Sequence, residues 1–120
     1  MSAIPLLEAI AERDRDALSG LLVEDVVFHS PVQTYRGRQQ ILPLLLAIGG
    51  IIENVEVTRE LEDVTFFAAT VEEHPVDGVL VEREEEGQIA EITLMLRPLA
   101  QLQAAVARMA RVLAERAQRD

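Results

Sequence analysis

The chain has 120 residues, 11 of them basic and 21 acidic, which gives a formal net charge of −10, and it contains no cysteine. This length suits one domain with a single hydrophobic core. The absence of cysteine excludes disulfides, thiolate zinc sites and cysteine nucleophiles. The acidic charge has the wrong sign for the phosphates of nucleic acids, so no nucleic-acid partner is expected.

The apolar residues do not form a membrane-spanning segment. No apolar run approaches the ~20 residues that a transmembrane helix needs. The first residues also lack the charged-then-apolar pattern of a secretory signal. The sequence therefore predicts a cytoplasmic location and no membrane partner.

Two short helices are predicted at the start of the chain. Leu7, Ile10 and Ala11 recur at helical spacing, and a second apolar set within residues 17–22 does so again. Asp14 is expected to cap the second helix, because its carboxylate can accept hydrogen bonds from the free backbone N–H groups at a helix start.

A strand and a third helix are predicted next. Residues 26–30 form the predicted strand, which ends at the following proline because proline cannot donate to a β ladder. The helix is predicted to follow Gly37 and to end at Gly49 and Gly50. Pro43 lies within it, which predicts a kink or a later helix start.

The second half of the chain predicts an antiparallel meander and a final helix. Period-two alternation and central apolar runs predict four strands, at residues 53–62, 64–71, 79–81 and 89–96. Residues 74–78 are predicted to form a turn because of their Pro and Asp-Gly content, and residues 84–87 another. An apolar stripe at three- and four-residue steps predicts the helix at about residues 98–118.

This order of elements, with Ser30-Pro31-Val32 and Arg36-Gly37-Arg38 as its sharpest local points, resembles the nuclear transport factor 2-like superfamily. That superfamily includes ketosteroid isomerases and SnoaL-type polyketide cyclases. The resemblance covers about residues 4–97 and implies an α+β, cone-shaped fold. In that fold, N-terminal helices pack against a strongly curved antiparallel sheet and enclose an apolar pocket. We expect residues 1–120 to form a single such domain with an added C-terminal helix.

The resemblance also identifies missing catalytic residues. The isomerases have an acidic base directly before the Pro-Val pair, where this chain has Ser30, whose hydroxyl has a proton affinity far from that of a working base. The tyrosine position corresponds to Leu6 or Leu7, and the protonated aspartate position to Val79, within a residue or two. Neither leucine nor valine can donate to a developing oxyanion. The resemblance therefore implies the pocket without the isomerase reaction.

Three polar side chains remain as weak catalytic candidates, namely Ser30, His74 and Asp77. His29 is adjacent to Ser30, but strand alternation directs neighbouring side chains to opposite faces, which argues against a Ser–His pair. His74 and Asp77 lie in the predicted turn, where a solvated histidine and an Asp-Gly turn residue are the simpler interpretation. Alternation also scatters the nearby acids over two faces, so no metal site is predicted.

A ligand-binding wall is predicted from the expected pocket. Its candidate residues are Leu6, Phe28, Ser30, Phe66, Val79, Ile92, Leu94 and Leu96. Apolar cavities with few polar groups bind hydrophobic molecules. The leading interpretation is therefore a protein that binds a hydrophobic small molecule, with no cofactor and no assigned activity. The alternatives are a SnoaL-like isomerase, cyclase or hydrolase acting on a hydrophobic polycyclic or polyketide-like substrate, and a structural dimerisation module whose interior is filled.

A homodimer is expected through the convex face of the sheet. The last strand directs Ile89, Glu91, Thr93, Met95 and Arg97 to that face, a mixture of apolar and charged side chains that suits an interface. Glu91 and Arg97 would then set its register. The final helix is expected either to close the pocket or to pack across the dimer.

Overall fold

The computed structural model describes residues 4–119, so residues 1–3 and 120 of the predicted domain lie outside the described part. The fold is α+β, as predicted, with four helices and six strands in this range. In chain order the elements are α1 (Ile4–Glu12), α2 (Arg15–Leu21), β1 (Leu22–His29), β2 (Thr34–Arg36), α3 (Arg38–Ile51), β3 (Glu53–Glu60), β4 (Val64–Val71), β5 (His74–Glu85), β6 (Gln88–Arg97) and α4 (Leu99–Arg119).

The six strands form one sheet in the order β2-β1-β6-β5-β4-β3. Strands β3 to β6 make the predicted antiparallel meander. Strand β1 runs parallel to β6, so the sheet is mixed and not wholly antiparallel. Register shifts interrupt three of the strand pairs, and such irregularities bend the strands and increase their twist.

The hydrophobic core lies between the concave face of this sheet and helices α1 to α3. Leu6, Leu18 and Leu45 from the three helices are fully buried, as is Phe28 in β1. Along β4, buried and half-buried residues alternate, because successive side chains of a strand point to opposite faces. The outer, convex face of the sheet carries the more exposed set. Ile89, which was predicted to lie on that face, is instead buried as part of the hydrophobic core.

Asp14 caps α2 as predicted. Its Oδ1 accepts a hydrogen bond from the backbone N–H of Ala17 at 3.1 Å. None of the helices within residues 4–119 has both the length and the hydrophobicity needed to cross a membrane.

The predicted end of α3 is wrong, because the helix continues through Gly49 and Gly50 to Ile51. A Cβ atom at Gly49 would lie 1.9 Å from the carbonyl oxygen of Ile10. The glycine therefore permits the close approach of α1 to α3 and does not end the helix. The helix begins at Arg38, directly after Gly37, and contains Pro43 in its interior.

The turn predicted at residues 74–78 is also wrong. The chain reverses at Glu72 and Glu73, whose φ angles are 50° and 70°, and β5 begins at once with His74. Gly78 lies inside β5, against the ring of Phe67. A Cβ atom on residue 78 would lie 2.1 Å from Phe67 Cζ, so this position needs a glycine. The glycine therefore makes room for a neighbouring side chain. The sequence pattern Asp-Gly alone does not distinguish this role from a turn.

Candidate functional site

A cavity of about 280 Å³ lies between the concave face of the sheet, the C-terminal half of α3, the loop after β1 and helix α4. Its sheet and α3 walls are apolar. They are formed by Phe28, Leu94 and Leu96 from the strands and by Leu44, Ile48, Ile51 and Ile52 around the end of α3. This is the largely apolar, concave environment in which proteins bind small hydrophobic molecules.

Helix α4 supplies the remaining wall. Its lining residues recur at three- and four-residue steps and so lie on one face of the helix: Leu102, Ala105, Val106, Met109, Ala110 and Leu113. Leu99, at the start of the helix, lies outside the cavity wall and is 66% exposed. The helix therefore lies against the pocket, which is one of the two positions expected for it.

Helix α4 also forms an ion pair with the turn between β4 and β5. Arg111 Nη2 lies 4.0 Å from Glu72 Oε1 in the turn between β4 and β5. Both side chains are well exposed, and exposed pairs of this kind contribute roughly 0–1 kcal/mol. The apolar stripe therefore holds α4 in place more than this ion pair does.

Four of the eight residues predicted to bind a ligand line the cavity, namely Phe28, Ser30, Leu94 and Leu96. Leu6 and Ile92 are fully buried in the core and are not part of the cavity wall. Phe66 and Val79 pair with each other across β4 and β5 on the convex face. Their neighbours Phe67 and Leu80 occupy the concave face, because a one-residue shift moves a strand side chain to the other side of the sheet.

Ser30 lies at the cavity but its hydroxyl is engaged in the loop. The Oγ donates to the carbonyl oxygen of Gln33 at 2.8 Å and accepts from the backbone N–H groups of Val32 and Gln33 at 3.2 and 3.1 Å. This is a side-chain-stabilised turn of the kind that serine forms with residues two and three positions on. The hydroxyl holds the loop, and among residues 4–119 no basic side chain hydrogen-bonds to it.

Gln33 and Tyr35 form a polar pair in the cavity wall. The Gln33 Nε2 group donates to Tyr35 Oη at 2.7 Å, and the Tyr35 ring stacks on Phe28 with centroids 6.3 Å apart. Both residues line the cavity. The sequence had placed Tyr35 in a loop, whereas it belongs to β2; the β-favouring pair Thr34-Tyr35 after a short turn was the signal that could have shown this.

His74 and Asp77 lie away from the cavity. His74 is exposed at the start of β5, and Asp77 lies on the convex face with its Oδ2 atom 3.7 Å from Arg97 Nη1. Within residues 4–119, no three His, Asp or Glu side chains converge as a metal site would require.

Glu82 is a buried acid that the sequence did not identify. It lies in β5 on the concave side, next to Ile92 of β6 in the register, and only 4% of its surface is exposed. Burial raises its pKa to about 7, and the nearby negative charge of Glu84 adds to the effect. Glu82 is not in the cavity wall, but it lies in the strand where the resemblance placed a protonated acid at Val79. Alternate residues of β5 face the core, and the register of the sheet places Glu82 among them. The sequence alone does not show which alternate set faces inward.

A second cluster of polar side chains lies on the convex face. His29 Nδ1 is 2.9 Å from Thr34 Oγ1, and His29 Nε2 is 2.5 Å from Glu91 Oε2. Arg83 Nε donates to the other oxygen of Glu91 at 3.1 Å. Hydrogen bonds from His29 and then Arg83 lower the pKa of Glu91. Glu91 and Arg97, which were expected to set a dimer register, thus both have partners within the chain.

No protein-family model matches the sequence, and no curated protein matches it significantly. Among solved structures, a steroid delta-isomerase from Pseudomonas aeruginosa is 31% identical, with 97% of this chain and 93% of that chain aligned and a TM-score of 0.86. A Silicibacter pomeroyi protein with a cystatin-like fold, described as conserved in bacteria, is 27% identical, with 92% and 84% aligned and a TM-score of 0.80.

A more distant structural relative comes from Catenulispora acidiphila and is described as having a ketosteroid isomerase-like fold in complex with trimethylamine. It is 18% identical, with 86% of this chain and 89% of that chain aligned and a TM-score of 0.64. At this identity the likeness concerns the fold alone.

Proposed function

Because the chain belongs to the nuclear transport factor 2-like superfamily, with its ketosteroid isomerase-like fold, we propose that it binds a small hydrophobic molecule in the cavity beneath α4. The observation that supports this most is the cavity itself, about 280 Å³ with walls of Leu, Ile, Phe and Met side chains. Apolar walls with a few convergent polar groups are the usual setting for such ligands. The open interior also argues against a purely structural module with a filled core.

The volume of the cavity limits the ligand. At about 280 Å³ the cavity lies at the lower end of the ~300–1,000 Å³ that ligand pockets usually enclose, which favours a small ligand. A bicyclic molecule of that size fits within the walls.

We assign no catalytic activity to the cavity. Ser30 stands where the isomerases have their base, and its hydroxyl is engaged in the loop. Leu6 is apolar and buried, and Val79 is on the convex face. The base and both hydrogen-bond donors of the isomerase reaction are therefore missing at the positions that correspond to them.

The alternative function is a SnoaL-like enzyme that acts on a hydrophobic polycyclic or polyketide-like substrate. Two observations favour it: the similarity to a protein described as a steroid delta-isomerase, and the buried acid Glu82 with its raised pKa. Incubation with an unconjugated ketosteroid, followed by absorbance of the conjugated product, tests it. Turnover that is lost in Glu82→Gln would favour this alternative, whereas no turnover in the native chain is the result we expect.

Ligand binding is tested with naphthalene, an apolar fluorescent probe of ten carbons. Ala105 is buried and lines the cavity, so the Ala105→Trp variant should fill it and abolish binding. Ala107 is exposed on another face of α4, which makes Ala107→Trp the matched control. Native mass spectrometry of the purified protein then reports the mass of any ligand that it retains and the number of subunits. Equal naphthalene affinity in the native chain and in both variants would contradict binding in this cavity.

We also propose a homodimer formed through the convex face, in a cytoplasmic protein. Met95 is 57% exposed there, and it neighbours Val79, which pairs with Phe66, so three apolar side chains form a row on the surface. Such a row is the kind of surface that subunit interfaces cover. Sedimentation should show a dimer in the native chain and a monomer in Met95→Arg, while Gln103→Arg on α4 should remain dimeric.

A further inference from the structure

We propose that Tyr35 and Gln33 form the recognition point of the cavity for a ligand hydroxyl group, so that the preferred ligand is a small alicyclic or aromatic alcohol. This inference rests on the proposed binding function and goes further, because it names the chemical class of the ligand. The evidence for this inference is the pattern of hydrogen bonds among the polar side chains of the cavity wall.

The two side chains offer one free donor and one free acceptor. Gln33 Nε2 donates to Tyr35 Oη at 2.7 Å, which occupies one lone pair of the phenol oxygen. Within the described part of the chain, the structure gives the Tyr35 O–H no acceptor, and it gives Gln33 Oε1 no donor. A ligand hydroxyl can accept from the first and donate to the second at the same time, because a hydroxyl has both functions.

The other polar side chain of the cavity wall does not compete for the ligand. The Ser30 hydroxyl donates once and accepts twice within its own turn. The remaining side chains of the wall are apolar. Tyr35 and Gln33 are therefore the pair that a polar group of the ligand would meet.

The pair is held in place before a ligand binds. Tyr35 lies opposite Phe28 in the register of β1 and β2, and their rings stack at 6.3 Å. The backbone N–H of Gln33 is fixed by Ser30 Oγ at 3.1 Å. Binding therefore requires little further ordering of these side chains, which reduces the entropy lost when the ligand is held.

Ligands that lack a hydroxyl leave part of this pair unsatisfied. A ketone of the same size accepts from Tyr35 but gives nothing to Gln33 Oε1, and a hydrocarbon satisfies neither. Gln33 is exposed and Tyr35 half-buried in the free protein, so a ligand over the pair displaces the water that solvates them, and a polar group then left without a partner weakens binding. The net charge of −10 further disfavours an anionic ligand, so a neutral alcohol is the best match.

Three bicyclic ligands of the same carbon skeleton test the inference: tetralin, 1-tetralone and 1-tetralol. Dissociation constants are measured by calorimetry for the native chain and for two variants. For the native chain we expect the alcohol to bind more tightly than the ketone, and the ketone more tightly than the hydrocarbon, by roughly fivefold at each step. Tyr35 is the only tyrosine and the chain has no tryptophan, so tyrosine fluorescence reports the same contact directly.

The variants separate the two contacts. Tyr35→Phe should abolish the advantage of the ketone over the hydrocarbon, because it removes the donor. Gln33→Met should abolish the advantage of the alcohol over the ketone, because it removes the acceptor but keeps the length of the side chain. Both should bind tetralin at least as tightly as the native chain, because each variant removes a polar group that the hydrocarbon leaves unsatisfied. Ala107→Trp, exposed on another face of α4, should bind all three ligands as the native chain does.

The possible results distinguish this inference from the function on which it rests. If the native chain binds all three ligands equally, or if the alcohol keeps its advantage in both variants, the inference is overturned and hydrophobic binding stands. If the native chain binds none of the three, the proposed function fails and the inference fails with it.

Discussion

The buried carboxyl of Glu82 should make the stability of this protein decrease as the pH rises. Its pKa is raised from 4.5 to about 7 in the folded chain, because burial disfavours the charged form. The folded state therefore binds more protons than the unfolded state between these two values. By linkage, the contribution of Glu82 to the free energy of unfolding is highest below about pH 4.5 and falls as the pH rises to about 7.

The size of this effect follows from the shift. A change from 4.5 to about 7, at ~1.4 kcal/mol for each pKa unit, corresponds to on the order of 3 kcal/mol. Glu82→Gln keeps the size of the side chain and removes its charge, so this part of the pH dependence should disappear. The variant should be more stable than the native chain at about pH 8 and similar to it at about pH 4.

Urea unfolding followed by circular dichroism, at several pH values between about 4 and 8, measures the difference in stability between the native chain and Glu82→Gln. Glu60→Gln is a suitable control, because Glu60 is exposed on β3 and its replacement should leave the pH dependence as it is. If the native chain and Glu82→Gln lose stability by the same amount between about pH 4 and 8, the argument from burial is refuted.

Two further predictions concern the helices. Gly49→Ala should destabilise the fold by about 2 kcal/mol or more, since its Cβ would overlap the Ile10 carbonyl oxygen, whereas Gly50→Ala, with its nearest neighbour 3.6 Å away on Arg13, should stabilise α3 by up to about 1 kcal/mol. A thermal melt that ranks the two variants in the opposite order would contradict this assignment. Asp14→Ala should remove the cap of α2 and lower the free energy of unfolding by about 1 kcal/mol, and an unchanged urea midpoint would show that the cap contributes nothing.

Much of the fold could be predicted from local patterns in the sequence. Helical spacing and alternation identified the helices and the four meander strands, and Asp14 was recognisable as a cap because capping depends on neighbours within three residues. Two predictions failed where a glycine has a partner far away in the chain. Gly49 faces Ile10 and Gly78 faces Phe67, whereas the sequence had assigned Gly49 to the end of a helix and Gly78 to a turn.

The candidate site was predictable only in part, for a similar reason. Phe28, Ser30, Leu94 and Leu96 were placed at the cavity from the order of the elements. Phe66 and Val79 were assigned to the wrong face because the parity of β4 and β5 depends on their register with each other. Tyr35, Gln33 and the stripe of α4 become part of the site only through contacts between distant segments.

The sequence by itself determined the class of fold and the absence of a base before the Pro-Val pair, because both depend on residue identity and on periodicity along the chain. Only the tertiary structure decided which residues enclose the cavity, where α4 lies and which acid is buried. The physical reason is that burial and hydrogen bonding depend on side chains that meet across the sheet and from separate helices. Glu82 and Tyr35 show this most clearly, since each has properties that its sequence neighbours do not reveal.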